Sequence, residues 1–364
     1  MVRDVLGAAP DAVGAQEGVV AAPHVEPYPP SWVDRLQRTI EGWPVAWWLP
    51  YVAVYVVGQV VSHLVLWAEG LLPVGAIDPT RAPGYGALYP AAILGTMHYL
   101  DRFAARRLDV FRPALGPADA DTVDHLRYEL TTLPARPTLV LTLLGSIPPA
   151  ALFLATTPLH AVGSPGFFVS ALILFVTVGT GVVFYYHAFH QLRAVERIHT
   201  SAKNVDLFQP QPLHAFGQLA ARSGIAFIVL AYYAAVVRPD FVLTNPVGIA
   251  YLAVAVASGV LSFVVPLYGM HQRLEAEKRG LLTIADWRIS EAVSAAWRQL
   301  DPASGQEAET TQRRLETVER ARSIVERLPT WPWAARTLTG FLSTLLLPVV
   351  IWLITNVLGR LLPK

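Results

Sequence analysis

The chain contains no cysteine, and charged side chains make up only 15% of its 364 residues. The missing thiols exclude disulfide bridges, thiolate-bound zinc, iron–sulfur clusters and cysteine nucleophiles. The low charge argues against a soluble globular domain, in which about a quarter of the residues are charged. The sequence has no Walker loop, Rossmann glycine pattern, nucleophile elbow or zincin motif. It therefore indicates no enzyme class and no cofactor.

An excess of one charge is also lacking, because the formal net charge is +1. Without a basic run, the chain is not expected to bind nucleic acid. Apolar residues are abundant instead, since 53% of the chain is hydrophobic and its mean hydropathy is +0.41. Such a composition is typical of an integral membrane protein, so we expect the lipid bilayer to be its main partner.

Runs of about 20 apolar residues without charge predict membrane-spanning helices. Six segments fit this pattern: Val45–Trp67, Thr138–Thr157, Phe167–Tyr186, Leu219–Val237, Val247–Val265 and Leu338–Leu358. A seventh, Tyr85–Leu100, is short for a span, so that crossing and re-entrant interpretations both stay open. Residues 1–30 are expected to form a disordered tail. The sequence therefore predicts an all-α, polytopic bundle of six or seven spans over residues 31–269 and 337–364.

The distribution of Lys and Arg predicts the orientation, because these residues are retained on the cytoplasmic side. With seven spans, the N-terminus, the loops at 101–136 and 189–222 and the region 270–336 are cytoplasmic and hold 24 of the 28 Lys and Arg residues. With six spans the N-terminus is outside, and the number falls to 21. The count favours a cell-membrane protein with its N-terminus in the cytoplasm and its C-terminus outside.

Residues 270–336 are predicted to form a cytoplasmic antiparallel helical hairpin. The second helix has apolar residues at three- and seven-residue steps: Leu315, Val318, Val325 and Leu328. This spacing suits a coiled-coil seam. No proline separates Met270 from Leu300, so we expect the preceding span to continue into the first helix of the hairpin. Pro329 and the Trp-Pro-Trp that follows end the second helix, which predicts a flexible anchor.

Three segments resemble sequences shared by a group of multi-pass membrane proteins of bacteria for which no activity is established. They are LDVFRPAL, HQLRAVERIHTSAKNVDLFQPQPLHAFGQLAA and ERLPTWPWAARTLTGFLSTLLLPVVIWLI. The resemblance implies a multi-pass topology in a bacterial inner membrane. It implies no catalytic or cofactor-binding residue.

Four of the ten histidines are candidates for a metal site: His98, His187, His190 and His271. Each follows a predicted span on the same side, and imidazole binds zinc or iron. The same rings could form a proton-responsive layer. The other interpretation is an interfacial belt of amphipathic rings, which includes four predicted headgroup anchors: Tyr185, Tyr186, Trp331 and Trp333. Because the chain has a single His-x-x-His, we favour the belt.

Between their charged ends, the predicted spans hold no Asp, Glu, Lys or Arg, which argues against ion-driven transport. Small residues in Gly179–Tyr186 and Ala253–Ser262 are expected to let helices approach closely within one monomer. The leading hypothesis is a non-enzymatic homo-oligomer whose hairpin mediates assembly or relays a membrane signal. The alternatives are a multimeric ion channel lined by hydroxyl and carbonyl groups and, less favoured, a membrane metalloenzyme that uses the histidines.

Overall fold

The computed structural model describes residues 26–78, 84–117, 119–156, 163–204, 206–237, 239–298 and 305–361. Within these ranges the chain is all-helical and forms no strand, which confirms the predicted all-α class. The helices there are α1 (Trp32–Glu41), α2 (Leu49–Ala68), α3 (Gly84–Leu115), α4 (Ala120–Thr131), α5 (Ala135–Thr156), α6 (Pro165–Ser201), α7 (Pro210–Leu213), α8 (Ala215–Val237), α9 (Pro239–Thr244), α10 (Pro246–Arg298), α11 (Gly305–Glu326) and α12 (Ala335–Leu361).

The predicted tail lies outside the described residues up to residue 25, and its last five residues contact the helices. The Tyr28 hydroxyl donates to the Thr132 carbonyl oxygen over 2.9 Å. Helix α1 then starts with a capping box, in which the Ser31 hydroxyl accepts from the Asp34 N–H and the Asp34 carboxylate accepts from the Ser31 N–H. This exchange satisfies donors that would otherwise lack partners at a helix start. Residues 26–30 therefore pack against the helical part of the molecule.

Four helical stretches within the described ranges are long and apolar enough to cross a membrane. They are α2, α6, α10 and Pro210–Val236, which comprises α7 and most of α8. Each contains or overlaps a predicted span. The other two predicted spans correspond to α5 and α12, which are not among the four; in α12 the segment Ala335–Leu347 is apolar but shorter. Large apolar side chains are exposed along α2 and α5, as lipid-facing surfaces require.

Helix α3 packs against α2, α4, α6, α7 and α8. The segment Tyr85–Leu100 forms the first half of this helix, which has 32 residues. At 1.5 Å per residue α3 is about 48 Å long. The segment is thus part of one continuous helix, and its crossing of the bilayer stays a prediction.

Much of the largest buried cluster lies in the two regions predicted as cytoplasmic loops, 101–136 and 189–222. These regions are mostly helical and consist of the second half of α3, α4, the end of α6, α7 and the start of α8. Helix α4 buries one apolar stripe at helical spacing, formed by Val123, Leu126 and Leu130. The connections between the apolar segments are therefore packed helices and not irregular loops.

Helices α8 and α10 cross where two glycines face each other. A Cβ atom on Gly224 would lie 2.5 Å from the Gly259 carbonyl oxygen and 2.8 Å from Phe341 Cε2 of α12. A Cβ atom on Gly259 would lie 2.9 Å from the Gly224 carbonyl oxygen. Because such distances leave no room for a side chain, the small residues around Gly259 permit a close helix contact within one chain, as predicted.

Candidate functional site

Two of the candidate histidines, His98 and His187, are almost fully buried and have different partners. Nδ1 of His98 lies 3.0 Å from the Tyr51 hydroxyl, and its Nε2 lies 3.2 Å from Glu41 Oε1. Nε2 of His187 lies 2.7 Å from Asp101 Oδ1. Each ring is therefore held by a carboxylate of its own.

The other two candidates, His190 and His271, have different partners again. Nε2 of His190 is 3.1 Å from the Glu129 carbonyl oxygen and 3.2 Å from the Tyr28 hydroxyl. Nδ1 of His271 is 3.1 Å from the Thr330 carbonyl oxygen. Among the described residues, no three His, Cys, Asp or Glu side chains come together to form a possible metal site. The four histidines thus do not form one cluster.

Asp101 is the acceptor of a buried polar cluster that joins α3 to α6. Its Oδ1 lies 2.7 Å from His187 Nε2 and accepts a hydrogen bond from Gln191 Nε2 over 3.1 Å. His187 and Gln191 are four residues apart, so one face of α6 presents both. Asp101 Oδ2 is also buried, and it has no hydrogen-bond donor among the described residues. A buried carboxylate oxygen without a donor is energetically unfavourable.

A second buried carboxylate, that of Asp34, lies near Asp101. Its Oδ2 accepts from the Ser31 N–H (2.9 Å), the Ser31 hydroxyl (2.6 Å) and the Leu133 N–H (3.0 Å). Burial raises the pKa of the Asp34 carboxyl above its usual range; the hydrogen bonds from Ser31 oppose this rise, and the charge of Asp101 adds to it. Burial therefore disfavours the ionised form of Asp34, although three hydrogen-bond donors stabilise its charge.

Both carboxylates line a cavity of about 640 Å³ between α1, α3, α4 and the residues before α1. We call it the acidic cavity, because its wall holds six carboxylates and three guanidinium groups. These are Glu26, Asp34, Glu41, Asp101, Asp121 and Asp124, and Arg38, Arg102 and Arg127. A volume of several hundred cubic ångströms is typical of small-molecule sites. The cavity could therefore admit an organic ligand.

Sequence reasoning missed Asp34 and Asp101, although signals for both are present. The pattern Ser-x-x-Asp at Ser31 predicts a capping box, which would have placed Asp34 at a helix start. His98 and Asp101 are three residues apart and so share a face of one helix. The contact of Asp101 with His187 is not visible in the sequence, because it depends on how α3 and α6 pack.

Helix α10 is unbroken over its 53 residues, as predicted. It is about 80 Å long, whereas the hydrocarbon core of a bilayer is about 30 Å thick. Helix α11 lies beside its second half, where Arg322 Nε donates to Asp286 Oδ1 (2.7 Å) and Lys278 Nζ donates to the Glu326 carbonyl oxygen (2.6 Å). We call residues 270–298 of α10 together with α11 the α10–α11 arm.

The segment that follows α11 is held by a column of stacked rings. The centroid of Trp331 lies 4.0 Å from that of His271, with the two planes 3° apart, and 4.3 Å from that of Trp333. Trp333 stacks on Phe263 of α10 at 5.0 Å. The Trp-Pro-Trp segment is therefore packed against α10.

The two tyrosines predicted as headgroup anchors also have aromatic neighbours. Tyr185 lies 4.8 Å from Phe227 between ring centroids, and Tyr186 lies 6.0 Å from His190. Both are only partly exposed, as are Trp331 and Trp333. Their depth in the bilayer stays a prediction.

The α10–α11 arm exposes large apolar side chains. Those more than half exposed are Ile284, Trp287, Trp297 and Ile324. On α10 they lie more than 15 residues beyond Tyr268, where the exposed apolar surface of its first half ends. At 1.5 Å per residue the two exposed surfaces of α10 are more than about 20 Å apart.

Comparison of the chain with protein-family models, with curated proteins and with solved structures found no match.

Proposed function

We propose that the protein is a non-enzymatic, multi-pass membrane protein that assembles into a homo-oligomer through the α10–α11 arm. The observation that carries this proposal is the exposure of Trp287 (63%) and Trp297 (72%) on the arm. Lipid covers at most about 20 residues of a helix, so it cannot cover these side chains and the apolar first half of α10 together. Tryptophan is enriched at the centres of protein interfaces, where it contributes much of the binding energy. A protein surface is therefore the expected cover.

The charge of the arm favours a second copy of the chain as its partner. Residues 270–328 contain ten basic and ten acidic side chains. Such a surface has no strong preference for a basic or an acidic partner, and it can complement itself across a two-fold axis, where each patch meets its own copy. We therefore propose that α10 and α11 form a helical hairpin, and that the exposed face of this hairpin binds the same face of a second copy of the chain.

A relay of a membrane state to the arm follows from the continuity of α10. Its first half is apolar, and its second half carries the exposed tryptophans. Because both halves belong to one helix, which continues through Pro266, a tilt of the first half would move the arm. The ring stack at Trp331 joins the end of the arm to Phe263 of the same helix. Both ends of the arm are thus attached to α10.

The finer topology belongs to the same proposal. We assign six or seven spans, with α5 and α12 crossing in addition to the four apolar stretches and α3 as the seventh. The N-terminus and the arm then share the cytoplasmic side with 24 of the 28 Lys and Arg residues, and the C-terminus is outside. A multi-pass topology of this kind needs no catalytic residue.

The assembly is tested by measuring the mass of the detergent-solubilised full chain carrying both Trp287→Ser and Trp297→Ser. Interface tryptophans contribute about 2 kcal/mol or more each, and a two-fold assembly loses both copies of each substituted side chain. The variant should therefore dissociate at a concentration more than about a thousandfold higher than the wild type. Native mass spectrometry or light scattering over a dilution series reports the oligomer directly.

The matched control is Trp43→Ser, which removes a half-exposed tryptophan (51%) before α2. It should leave the oligomer unchanged. A wild-type chain that is monomeric at all concentrations, or a double variant that assembles as the wild type does, would refute the proposal. Far-UV circular dichroism of each variant checks that the helices remain.

A further inference from the structure

Three arginine side chains meet at one aromatic ring where α3 packs against α8. The guanidinium carbon of Arg222 on α8 lies 3.8 Å from the ring centroid of Phe103 on α3. The guanidinium carbons of Arg107 and Arg106, both on α3, lie 4.6 and 6.0 Å from the same centroid. We call Arg106, Arg107 and Arg222 the arginine cluster. Three positive charges are thus gathered around one ring.

The arginine cluster has no carboxylate partner among the described residues. Arg106 Nε donates to the Arg102 carbonyl oxygen over 3.2 Å, and Arg107 Nη1 donates to Gln218 Oε1 over 3.1 Å. Both acceptors are uncharged, and Arg222 has no hydrogen-bond acceptor in the part of the chain that the structure describes. Other arginines do pair with carboxylates: Arg38, Arg102, Arg127, Arg197 and Arg322. Because like charges repel at short range, the cluster favours an anion that the described residues do not supply.

The arginine cluster is open to the surface. Arg106 is exposed, and Arg222 is partly exposed, with none of its guanidinium nitrogens buried. Arg107 is held by its bond to Gln218, and its Nε is buried. A guanidinium group presents a planar fork of N–H donors that matches two oxygens of a phosphate. An anion can therefore reach Arg106 and Arg222 directly, while Arg107 adds positive charge beside them.

The position of Arg222 on α8 connects the cluster to a lipid-facing surface. Val229 and Val236 follow Arg222 at seven-residue steps, which places the three side chains on one side of the helix. Val229 is 51% exposed and Val236 is 79% exposed, and most of α8 belongs to a stretch that is apolar enough to cross a membrane. At 1.5 Å per residue, Val229 lies about 10 Å from Arg222 along the helix axis. The hydrocarbon of one leaflet is about 15 Å thick, so the cluster lies where the headgroup of a lipid packed along this side of α8 would be.

We propose that the arginine cluster binds the phosphate group of an anionic phospholipid, whose acyl chains lie along the side of α8 that carries Val229. Arg106 and Arg222 donate to the non-bridging phosphate oxygens, and Arg107 adds a third positive charge. A zwitterionic lipid fits less well, because its own ammonium group neutralises its phosphate. In the topology proposed above, the cluster faces the cytoplasmic leaflet, where basic groups between spans recognise anionic headgroups. The site requires the insertion of α8 and does not depend on assembly through the α10–α11 arm.

The test is native mass spectrometry of the detergent-solubilised full chain, titrated with phosphatidylglycerol or with phosphatidylcholine carrying the same acyl chains. The spectra resolve successive bound lipids, so the dissociation constant of the first lipid is measured for each. We expect phosphatidylglycerol to bind about tenfold or more tightly than phosphatidylcholine, because several basic residues act on one headgroup. The same spectra report the oligomeric state. A monomeric chain that binds phosphatidylglycerol selectively would therefore refute the assembly and support the lipid site.

Two variants each remove one charge from the cluster. Arg222→Gln and Arg106→Gln should each weaken the binding of phosphatidylglycerol about fivefold, the effect of one basic residue beside an anionic headgroup, and leave that of phosphatidylcholine unchanged. Arg222→Lys keeps the charge and lacks the planar fork, so it should weaken binding less than Arg222→Gln does. Because Arg106 is exposed, Arg106→Gln tests the proposal even where Arg222→Gln does not fold.

The matched control is Arg193→Gln. The guanidinium carbon of Arg193 also lies over an aromatic ring, 4.4 Å from the Phe189 centroid, and no other described arginine lies over that ring. The substitution lowers the net charge of the chain by the same amount as each cluster variant. It should leave the affinity for the first phosphatidylglycerol unchanged.

Equal affinity of the wild type for the two lipids would overturn the proposal. The same holds if the double variant with Arg106→Gln and Arg222→Gln binds phosphatidylglycerol as tightly as Arg193→Gln does. A last titration adds inorganic phosphate to the complex of the wild type with phosphatidylglycerol. Displacement of the lipid at low millimolar phosphate would assign the cluster to a soluble phosphate compound and overturn the lipid site, whereas retention of the lipid supports it.

Discussion

Replacing Gly224 by alanine is expected to force α8 away from α10. The added Cβ would stand 2.5 Å from the Gly259 carbonyl oxygen, whereas ordinary contact begins at about 3.4 Å. The two backbones must therefore separate by about 0.9 Å, because a carbonyl oxygen in a helix cannot rotate away as a flexible side chain can. Phe341 Cε2, at 2.8 Å, has to move as well.

The expected change in the free energy of unfolding is the balance of two opposing effects. Overpacking of a tight contact destabilises a protein by about 1–3 kcal/mol, while alanine in a helix interior is about 0.5–1 kcal/mol more favourable than glycine. Gly280 of α10 provides the matched control, since a Cβ there would meet nothing within 4 Å. Gly224→Ala should thus lower the free energy of unfolding by about 0.5–2 kcal/mol, and Gly280→Ala should raise it by about 0.5–1 kcal/mol.

The assay is thermal or denaturant unfolding of the detergent-solubilised variants, followed by tryptophan fluorescence. Gly259→Ala, whose nearest contact is 2.9 Å, should fall between the other two variants. The close crossing of α8 and α10 is refuted if Gly224→Ala is as stable as Gly280→Ala.

Two other properties can be checked on the same protein. Because the chain has no cysteine, single cysteines report sidedness: a membrane-impermeant maleimide should label Thr244→Cys in intact cells, and Arg106→Cys only after the cells are opened. The opposite pattern would invert the proposed orientation. Because the pKa of the Asp34 carboxyl is raised above its ordinary value of 3.8, the folded state binds the proton of this carboxyl more tightly than the unfolded chain does. The stability of the wild type relative to Asp34→Asn should therefore rise as the pH falls from 7 toward 4; a melting-temperature difference that is constant or falls over this range would contradict it.

The sequence predicted helices where long apolar runs exclude every other structure in a membrane. It also predicted the continuity of α10, because no proline lies between Met270 and Leu300. It did not predict that α3 is one helix through Asp101, since hydropathy drops there and the run before it is short. Beyond Asp101 the helix buries Ala104, Leu108 and Phe111, which recur at helical spacing. Asp101 itself contacts His187 and Gln191 of α6, partners that no local pattern reveals.

The candidate histidines show the same difference between sequence proximity and spatial proximity. His187 and His190 share a face of α6 by their spacing, but one meets Asp101 of α3 and the other meets the Glu129 carbonyl of α4. Helical spacing fixes which side of a helix a residue occupies and leaves the identity of the neighbouring helix open. A metal site needs three or more side chains at one point, so it cannot be inferred from such spacing alone.

The position of Asp101 explains why a buried acid is compatible with a chain so rich in apolar residues. An ionised carboxylate in hydrocarbon without partners would be strongly unfavourable. Asp101 lies instead where α3 leaves its apolar first half and enters the layer of packed helices formed by α1, α4 and the end of α6. In that layer His187 and Gln191 stabilise one oxygen of the Asp101 carboxylate. Because its surroundings change along its length, α3 is apolar in its first half and holds the buried carboxylate of Asp101 where the packed helices of the second layer begin.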